Sequence, residues 1–261
     1  MELSYMQLKA SLHIHTSEDK KDGHIINYNV YNLIDEAEKN GFKVLGFTPH
    51  NKFVFKEEFA LYAKNKGILL IPGIERGLGR FLNQHVIILN CDKTIEKVKT
   101  FKQLLEYKAG HPEIFILAPH PTYTRFISIG ARKLKKYIHL FDAVEHSSAY
   151  SKKIDYHNKK AAAIAARFQK PIISTADVHI LKKLNTDFAI IDAVDLTAES
   201  VFQAIKYGKF KNITVPQSLL ALYKYYVGFL TKYIIKYTTV KILGLRAKEL
   251  EFEAVFEKVE E

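Results

Sequence analysis

Histidine and carboxylate residues recur at the ends of apolar segments along this chain. The first such segment ends in His13-Ile14-His15, and a late one is followed by Asp177-Val178-His179. Residues i and i+2 of a strand point to the same side, so each pattern delivers two ligand groups in one direction. Imidazole and carboxylate groups suit divalent ions such as Zn, Mn or Fe. The spacing therefore predicts a catalytic metal site, and four more candidates lie between the two patterns: His50, Glu75, His85 and His120.

The elements that must position these groups are predicted from hydrophobic periodicity. Short apolar runs typical of strands alternate with amphipathic runs of helical length. The predicted strands cover residues 9–14, 43–48, 68–74, 85–90, 114–118, 141–145 and 171–175. The predicted helices cover 30–40, 56–66, 95–107, 131–137 and 155–169. Gly41 and Gly67 follow the first two helices, where glycine is the expected stop signal.

Strands that are apolar on both faces and separated by helices favour a parallel sheet covered by helices. With seven such strands, we expect an α/β fold with a closed or nearly closed barrel. His13 and His15 then leave the first strand, Glu75 ends the third, and Asp177 with His179 follows the seventh. A barrel of this kind brings all five residues to one rim, which is where βα barrels place their active sites.

Composition limits the class of protein. The chain has 261 residues, 48% hydrophobic and 26% charged, which suits one globular domain plus a tail. Cys91 is the single cysteine, so an intramolecular disulfide and a thiolate metal cluster are excluded and a reducing compartment is favoured. The first ten residues lack the pattern of a secretory signal, so we expect a cytoplasmic protein. The net charge of +11 favours anionic partners, although a lysine-rich composition alone often produces such a charge.

Residues 216–261 differ in composition from the predicted barrel domain at 1–215. The stretch 219–245 is rich in Tyr, Leu, Ile and Val, but lysines at 224, 232, 236 and 241 interrupt any span of membrane-crossing length. We expect a basic, aromatic, helical tail that packs on the barrel or on a second subunit. Peripheral contact with an anionic membrane or with a nucleic-acid backbone is the less favoured alternative.

Taken in order, the motifs resemble those of the PHP (polymerase and histidinol phosphatase) superfamily. The series is H-x-H-T at 13–16, D-G at 22–23, T-P-H-N at 48–51, G-I-E at 73–75, His85, A-P-H-P at 118–121 and A-D-V-H at 176–179. The resemblance covers residues 8–209. It implies a distorted seven-stranded TIM-like barrel and a stand-alone metal-dependent phosphoesterase.

The resemblance also implies which residues hold two or three divalent ions. A first ion would be held by His13, His15, Glu75 and Asp177; Glu75 would bridge to a second at His85 and His120; His50 and His179 would hold a third. The segment 16–24 is longer than the common form, so the last ligand of the third site is Asp22, Asp19 or His24. Asp22 is preferred because it precedes Gly23. Pro49 replaces an acid that is common in the family, which would alter the basicity of the site more than its metal content.

Closely spaced divalent ions favour hydrolysis of a phosphoester by metal-bound hydroxide. We expect a phosphomonoester of a small metabolite or nucleotide, with Asp177, His179 or His146 moving protons. Arg125 is the preferred phosphate clamp, Arg80, Arg76 and Arg132 are alternatives, and Glu145 is a candidate substrate contact. A nuclease or 3′-end-processing phosphodiesterase acting on single-stranded nucleic acid is the alternative. A catalytically silent binding module is the least favoured, because silent members usually lose ligands.

Overall fold

The computed structural model describes residues 4–79, 84–123 and 127–224, together with 227 and 231. Nine strands form one sheet in the order β7-β6-β5-β4-β3-β2-β1-β8-β9. The strands are β1 (Met6–Ile14), β2 (Val44–Phe47), β3 (Leu69–Leu78), β4 (Gln84–Leu89), β5 (Phe115–Ala118), β6 (Ala143–Ser147), β7 (Ile172–Thr175), β8 (Phe188–Ala193) and β9 (Phe210–Ile213). The α-helices of the described ranges are α1 (Val30–Lys39), α2 (Glu57–Asn65), α3 (Phe101–Gly110), α4 (Gly130–Lys136), α5 (Tyr156–Arg167) and α6 (Ala198–Lys206).

The α/β class is confirmed, but the sheet is mixed, and the prediction of seven parallel strands was wrong. The runs β1-β2-β3 and β5-β6-β7 are parallel, whereas β4 is antiparallel to β3 and β5. β8 is antiparallel to both β1 and β9. Only residues 79–83 separate β3 from β4. A parallel connection needs a crossover of about a dozen residues or more, so this short link forces a reversal.

The sheet curves into a nearly closed barrel whose edge strands, β7 and β9, are joined by a side chain. The Asn212 Nδ2 donates to the Ile172 carbonyl at 2.9 Å, and the Ser174 amide donates to the Asn212 Oδ1 at 2.8 Å. Just beyond β7, the Val178 amide donates to the His13 carbonyl at 3.1 Å. The segment after β7 is therefore held against β1.

Three apolar cores pack against the sheet, two on its outer face and one inside the barrel. The outer face of β1–β3 packs on α1 and α2, and the outer face of β3–β6 packs on α3, α4 and α5. The interior is filled by aliphatic side chains such as Leu8 and Ile71, and α6 adds Val201 and Phe202 to it. The Phe202 ring stacks on Phe115 with centroids 4.8 Å apart. Helix α6 thus completes the interior core, while the helices on the outside hold the strands in place.

Several element boundaries differ from the sequence predictions. The strands β8 and β9 and the helix α6 were not predicted, and β3 continues past Glu75 to Leu78. The helix predicted at 95–107 is instead a 3₁₀ turn (Lys93–Lys97) followed by α3. Val98 separates them in an extended conformation, and Thr100 begins α3 by accepting a hydrogen bond from the Gln103 amide. A side-chain cap of this type ends the preceding segment and starts a new helix.

The chain divides into two compact units. The first comprises residues 1–148 and 155–215, and the second comprises 149–154 and 216–261. In the second, residues 219–224 are helical and the Ser218 Oγ accepts from the Ala221 amide. Most of the predicted tail lies outside the described residues, so its role stays a prediction, as does the boundary at 215. Among the helices described, none combines the length and hydropathy needed to cross a bilayer.

Candidate metal centre

A register shift in β1 decides which way its two histidines face. Between Ser11 and Ile14, β1 advances three residues while β2 advances two. Before the shift Leu12 lies in the interior core, and after it Ile14 lies in the outer core. Such β-bulges re-aim side chains and increase the local twist. Because Ile14 now faces outward, its neighbours His13 and His15 point into the barrel, where both are fully buried.

The segment after β2 places His50 directly beside Glu75. The Glu75 amide donates to the Pro49 carbonyl, and the Asn51 amide donates to the Glu75 carbonyl, both at 3.0 Å. This pairing brings His50 Nε2 to 2.8 Å from Glu75 Oε2. Pro49 lacks an amide hydrogen, but its carbonyl supplies the bond that the pairing needs.

The reversed direction of β4 brings His85 to the same place. In the β3–β4 ladder His85 pairs with Gly77, two residues beyond Glu75. His85 Nδ1 lies 2.6 Å from Glu75 Oε1. If β4 ran parallel to β3, its first residues would lie at the opposite end of the barrel. The antiparallel pairing therefore explains why His85 lies at the start of β4, whereas the other ligand candidates lie near or beyond the ends of their strands.

The two oxygens of Glu75 face different histidines. This carboxylate is only 1% exposed, so its partners must come from the protein or from a bound ion. The distances from Oε1 are 2.6 Å to His85 Nδ1 and 3.1 Å to His120 Nε2, and those from Oε2 are 2.8, 3.3 and 3.5 Å to the Nε2 atoms of His50, His15 and His13. A carboxylate placed in this way has the geometry of a bridging ligand.

Three buried atoms converge here without a hydrogen-bond partner: His13 Nε2, His15 Nε2 and Asp177 Oδ1. The aspartate oxygen lies 3.3 Å from the first nitrogen and 3.4 Å from the second. A buried polar atom left unpaired costs about 1–3 kcal/mol, so such a group calls for an absent partner. The donor set fits divalent ions. Four triads have donor atoms within 4.8 Å of one another: His13/His15/Asp177, His13/Glu75/His120, His50/Glu75/His85 and His15/His50/His179.

The loop after β1 supplies the remaining acidic group. Asp22 Oδ2 lies 3.3 Å from His179 Nε2 and 3.8 Å from His50 Nδ1. A Cβ at Gly23 would overlap the Ser17 carbonyl oxygen, so the loop needs glycine at this position. Of the two other candidates for this ligand, Asp19 contacts the Nδ1 atoms of His15 and His50 from behind and His24 is exposed, so Asp22 stays the preferred candidate.

Glu145 lies behind the histidines and does not line an open surface. Its Oε1 accepts from His13 Nδ1 at 2.9 Å and from Thr175 Oγ1, and its Oε2 accepts from the His120 amide. The side chain is fully buried, and the contact between Glu145 and substrate stays a prediction. His146 follows on β6, and because side chains alternate along a strand it leaves the opposite face.

The structure describes two of the arginines proposed as phosphate clamps, Arg76 and Arg132. Arg76 is 5% exposed and donates to four acceptors: from Nε to the Val98 carbonyl at 2.7 Å, from Nη2 to the Glu96 carbonyl at 3.1 Å, and from Nη1 to Asn51 Oδ1 at 3.0 Å and to the Asn51 carbonyl at 3.4 Å. These bonds hold the protein together and leave the guanidinium away from solvent. The other candidates are Arg132, which is exposed on α4, and Arg80 and Arg125, which lie outside the described residues.

Two threonines that the sequence predictions missed support the centre. Thr48 Oγ1 accepts from the Ile14 amide at 3.0 Å and donates to the Ile14 carbonyl at 3.2 Å, which ties β1 to β2. Thr175 Oγ1 donates to Glu145 Oε1. Each threonine ends an apolar run and lies two residues before a predicted ligand. This position could have identified both threonines from the sequence.

Burial disfavours charge on His13 and His85, and the attraction between imidazoles and carboxylates opposes it. For His13, burial lowers the pKa, but Asp177, Glu145 and Glu75 outweigh burial and raise the pKa to about 10. For His85, burial dominates and lowers the pKa to about 3 despite Glu75. Because metal ligands must be deprotonated, protons and metal ions compete for His13.

Three of the five non-glycine residues with a positive φ among the described residues lie at or beside the centre. Asn51, His120 and Asp177 have φ angles of 55°, 28° and 48°. Residues other than glycine seldom adopt this region, and each such residue costs on the order of 1–3 kcal/mol. Two of the three are ligand candidates and the third follows His50. The surrounding fold therefore holds these side chains in positions that a relaxed chain would not favour.

Comparison with known proteins yields no matching family model and no matching curated protein. Solved structures do match. A two-domain protein from Bacteroides vulgatus containing a predicted PHP-like metal-dependent phosphoesterase superposes with a TM-score of 0.63 at 15% identity, over 80% of this chain and 65% of that one. PsfC from Pseudomonas syringae superposes with a TM-score of 0.58 at 14% identity, over 85% of this chain and 99% of that one. The lesion-specific endonuclease PfuEndoQ from Pyrococcus furiosus superposes with a TM-score of 0.55 at 16% identity, over 79% of this chain and 58% of that one.

At these identities the likeness concerns the fold. This chain spans less than two thirds of the length of the Bacteroides and Pyrococcus proteins. A putative metal-dependent phosphoesterase from Bifidobacterium adolescentis also matches, with a TM-score of 0.52 at 11% identity, over 66% of this chain and 87% of that one. The structural comparisons confirm the resemblance to PHP-like proteins that the motifs indicated.

Proposed function

We propose that this chain, which shares its fold with PHP-like metal-dependent phosphoesterases, is itself a metal-dependent phosphoesterase. Its favoured substrate is a phosphomonoester of a small metabolite or nucleotide. The observation that carries the proposal is the convergence of unpaired donor atoms from His13, His15 and Asp177 beside Glu75. A metal cluster needs buried donor atoms that have no hydrogen-bond partner within the protein.

Nine residues would hold two or three ions of Zn, Mn or Fe. Eight of these residues belong to the four triads, and the His13/His15/Asp177 triad matches three of the four ligands assigned to the first ion. Asp22 belongs to no triad and is proposed for the third position because it lies beside His179 and His50. The assignment is His13, His15, Glu75 and Asp177 for the first ion, Glu75, His85 and His120 for the second, and His50, His179 and Asp22 for the third. Ions so placed supply water activation and bind phosphoryl oxygens.

Exposure indicates the side from which substrate approaches. The side chains of His179, Asp22 and Asp177 are 29%, 26% and 20% exposed. The histidines at 13, 15, 50, 85 and 120 are all no more than 5% exposed. The leaving group therefore meets His179 first. Its Nδ1 lies 3.2 Å from the Asp177 carbonyl oxygen, which holds the ring. If only two ions bind, Nε2 would be available to exchange a proton with the leaving oxygen, whereas a third ion would occupy it.

Two other residues receive new roles under this proposal. Glu145 positions the His13 ring and the His120 main chain, because both its oxygens are used there. His146 is less suited than His179 to move protons, since it follows Glu145 on the strand and faces the other side. Burial also lowers the pKa of His146, which disfavours the protonated form that an acid catalyst needs.

The second candidate function is a phosphodiesterase acting on single-stranded nucleic acid. The net charge of +11 favours it, because a basic protein attracts a phosphate backbone. The fold match to an endonuclease is compatible with it. The two candidates predict different substrates, since a phosphatase requires a terminal phosphate and a phosphodiesterase cuts an internal one.

The test combines metal analysis with hydrolysis of two model esters. Purified protein is assayed for bound metals, then for turnover of p-nitrophenyl phosphate and bis-p-nitrophenyl phosphate with Mn²⁺, with chelator, and in the variant His13→Ala. His111→Ala is the matched control, because this partly exposed histidine lies outside the centre. Within the described part of the chain, its ring contacts Glu113 and Tyr107. We expect chelator-sensitive turnover of the monoester, lost in His13→Ala and kept in His111→Ala. Absence of metal and turnover after reconstitution with Zn, Mn and Fe would refute the proposal, and turnover of the diester alone would favour the second candidate.

A further inference from the structure

We propose that Asp19 is a positioning residue that sets the ring orientation and the tautomer of two metal-ligating histidines, His15 and His50. The inference deepens the proposed function and rests on the metal centre described above. Asp19 is 3% exposed and lies on the loop after β1, away from the donor atoms that converge on Glu75. It acts through its neighbours and does not itself reach the ions.

One oxygen of Asp19 serves both histidines. Oδ2 lies 2.8 Å from His15 Nδ1, 2.8 Å from His50 Nδ1 and 2.9 Å from the His50 amide. The other oxygen, Oδ1, accepts from the amides of Lys21 at 2.8 Å and Asp22 at 3.3 Å. Both oxygens are therefore occupied by protein donors, which excludes Asp19 as the missing metal ligand.

The chemistry of these contacts dictates the tautomer of each ring. A carboxylate only accepts hydrogen bonds, so both Nδ1 atoms that face it must carry hydrogen. The lone pair of each neutral imidazole then resides on Nε2, which faces Glu75 Oε2 at 3.3 Å for His15 and 2.8 Å for His50. The two rings lie stacked, with centroids 4.3 Å apart and planes 22° from parallel, as expected when one acceptor aligns both.

The segment that carries His50 offers no acceptor of its own at the preceding position, because Pro49 has an apolar side chain. Asp19 supplies that acceptor from a different part of the chain. By accepting also from the Asp22 amide, it ties the loop that presents Asp22 to the same two rings. The buried carboxylate of Asp19 thus links three ligand candidates: His50 after β2, His15 directly after β1, and Asp22 on the loop.

Replacing Asp19 with asparagine separates positioning from folding, because the two side chains have the same shape. Asparagine presents one oxygen and one NH₂ group. If the NH₂ group takes the place of Oδ2, it faces both Nδ1 atoms and requires a lone pair on each, so both rings must change to the Nε2–H tautomer and their Nε2 atoms can no longer bind an ion. If the oxygen takes that place, the NH₂ group faces the donating amides of Lys21 and Asp22, and the contact that orders the loop is lost. Loss of such an outer contact typically weakens metal binding 10–100-fold.

The experiment measures Zn²⁺ binding by calorimetry on chelator-treated wild type, Asp19→Asn, Glu18→Gln and His13→Ala. Glu18→Gln is the matched control, since it removes a charge from the same loop and Glu18 contacts Thr16 and the Val30 amide but no histidine. We expect the weakest Zn²⁺ affinity to fall 10–100-fold in Asp19→Asn and to stay unchanged in Glu18→Gln. Long-range ¹H–¹⁵N spectra of Zn²⁺-loaded protein should show His15 and His50 protonated at Nδ1 in wild type.

The outcomes separate this inference from the proposed function. Wild-type affinity in Asp19→Asn, together with loss of binding in His13→Ala, would overturn the role of Asp19 and leave the metal centre standing. Unchanged binding in His13→Ala would instead overturn the centre itself. The spectra of wild type need no variant to fold, and Nε2–H tautomers at His15 and His50 would refute the inference directly.

Discussion

Replacing Gly46 with alanine tests whether the register shift in β1 sets the geometry of the metal centre. Gly46 lies on β2, next to the shifted part of β1. A Cβ on Gly46 would lie 2.8 Å from the Leu12 carbonyl oxygen, 2.9 Å from its Cα and 3.0 Å from its carbonyl carbon. These are backbone atoms, so the clash cannot be relieved by rotating a side chain. Leu12 is bonded to His13, and any movement of β1 therefore moves the histidines relative to Glu75.

The magnitude follows from two opposing effects. Alanine restricts the unfolded chain and would stabilise the fold by about 0.4–1 kcal/mol if it fitted. Overpacking a close contact costs about 1–3 kcal/mol, and here two strand backbones must separate. We expect a net loss of about 1–2 kcal/mol in the free energy of unfolding. Because ligand atoms must be placed within about 0.5 Å, we expect metal affinity to fall by more than this stability loss would suggest.

The assay is urea unfolding followed by circular dichroism, with Zn²⁺ calorimetry on the same samples. Gly110→Ala is the matched control, because a Cβ there meets nothing within 4 Å. It ends helix α3 and should leave stability unchanged or raise it by up to about 1 kcal/mol. If Gly46→Ala unfolds at the wild-type urea concentration and binds Zn²⁺ as wild type does, the argument that this contact sets the centre is refuted.

Three further predictions concern single side chains. His13→Ala or Asp177→Ala should abolish ester turnover while the circular dichroism spectrum stays that of wild type; full activity in either variant would contradict the assigned centre. Arg76→Lys should destabilise the fold by roughly 1–3 kcal/mol in urea unfolding, because lysine cannot replace the four bonds, and leave KM unchanged; a raised KM at wild-type stability would indicate a phosphate clamp. Burial raises the pKa of Asp187 to about 6, against about 3.9 when unfolded, so wild type should lose roughly 2 kcal/mol as pH rises from about 4 to about 6. In Asp187→Asn that loss should be absent from urea titrations across this range, and an identical pH profile would refute it.

Much of the centre was predictable because its residues mark the ends of apolar runs. His50 follows β2, His120 follows β5, and Asp177 with His179 follows β7. Parallel strands place such ends at one rim whatever the exact lengths of the strands. The predicted helices between them also formed, apart from the break at Val98. Local pattern and short-range spacing therefore carried these predictions.

The strands β8 and β9 escaped prediction because their pairing partners are distant. β8 pairs with β1 across the whole domain, with Leu8 opposite Ile191. The alternation of buried Ala189, Ile191 and Ala193 was present as a signal of period two. Thr197 also marked the start of α6, where its side chain accepts from the Ser200 amide.

The direction of β4 and the register shift in β1 were missed for different physical reasons. The short link between β3 and β4 was visible in the sequence and excludes a parallel crossover. The shift in β1 was not visible, because Leu8, Ala10, Leu12 and Ile14 keep a regular alternation through it. A bulge is decided by contacts with the neighbouring strand, and the lack of a side chain at Gly46 is the one local sign of it.

The metal centre thus lies where the fold departs from a regular barrel. The shift in β1 turns His13 inward, the reversal of β4 delivers His85, and the pairing of Val178 with β1 holds Asp177 at a strained φ. Each departure costs free energy and is held in place by the surrounding cores, which are apolar and complete without the ligands. Substitutions at the centre should therefore remove metal binding before they unfold the barrel. Removal of His85, for example, should leave the three cores intact while Glu75 Oε1 loses its shortest contact.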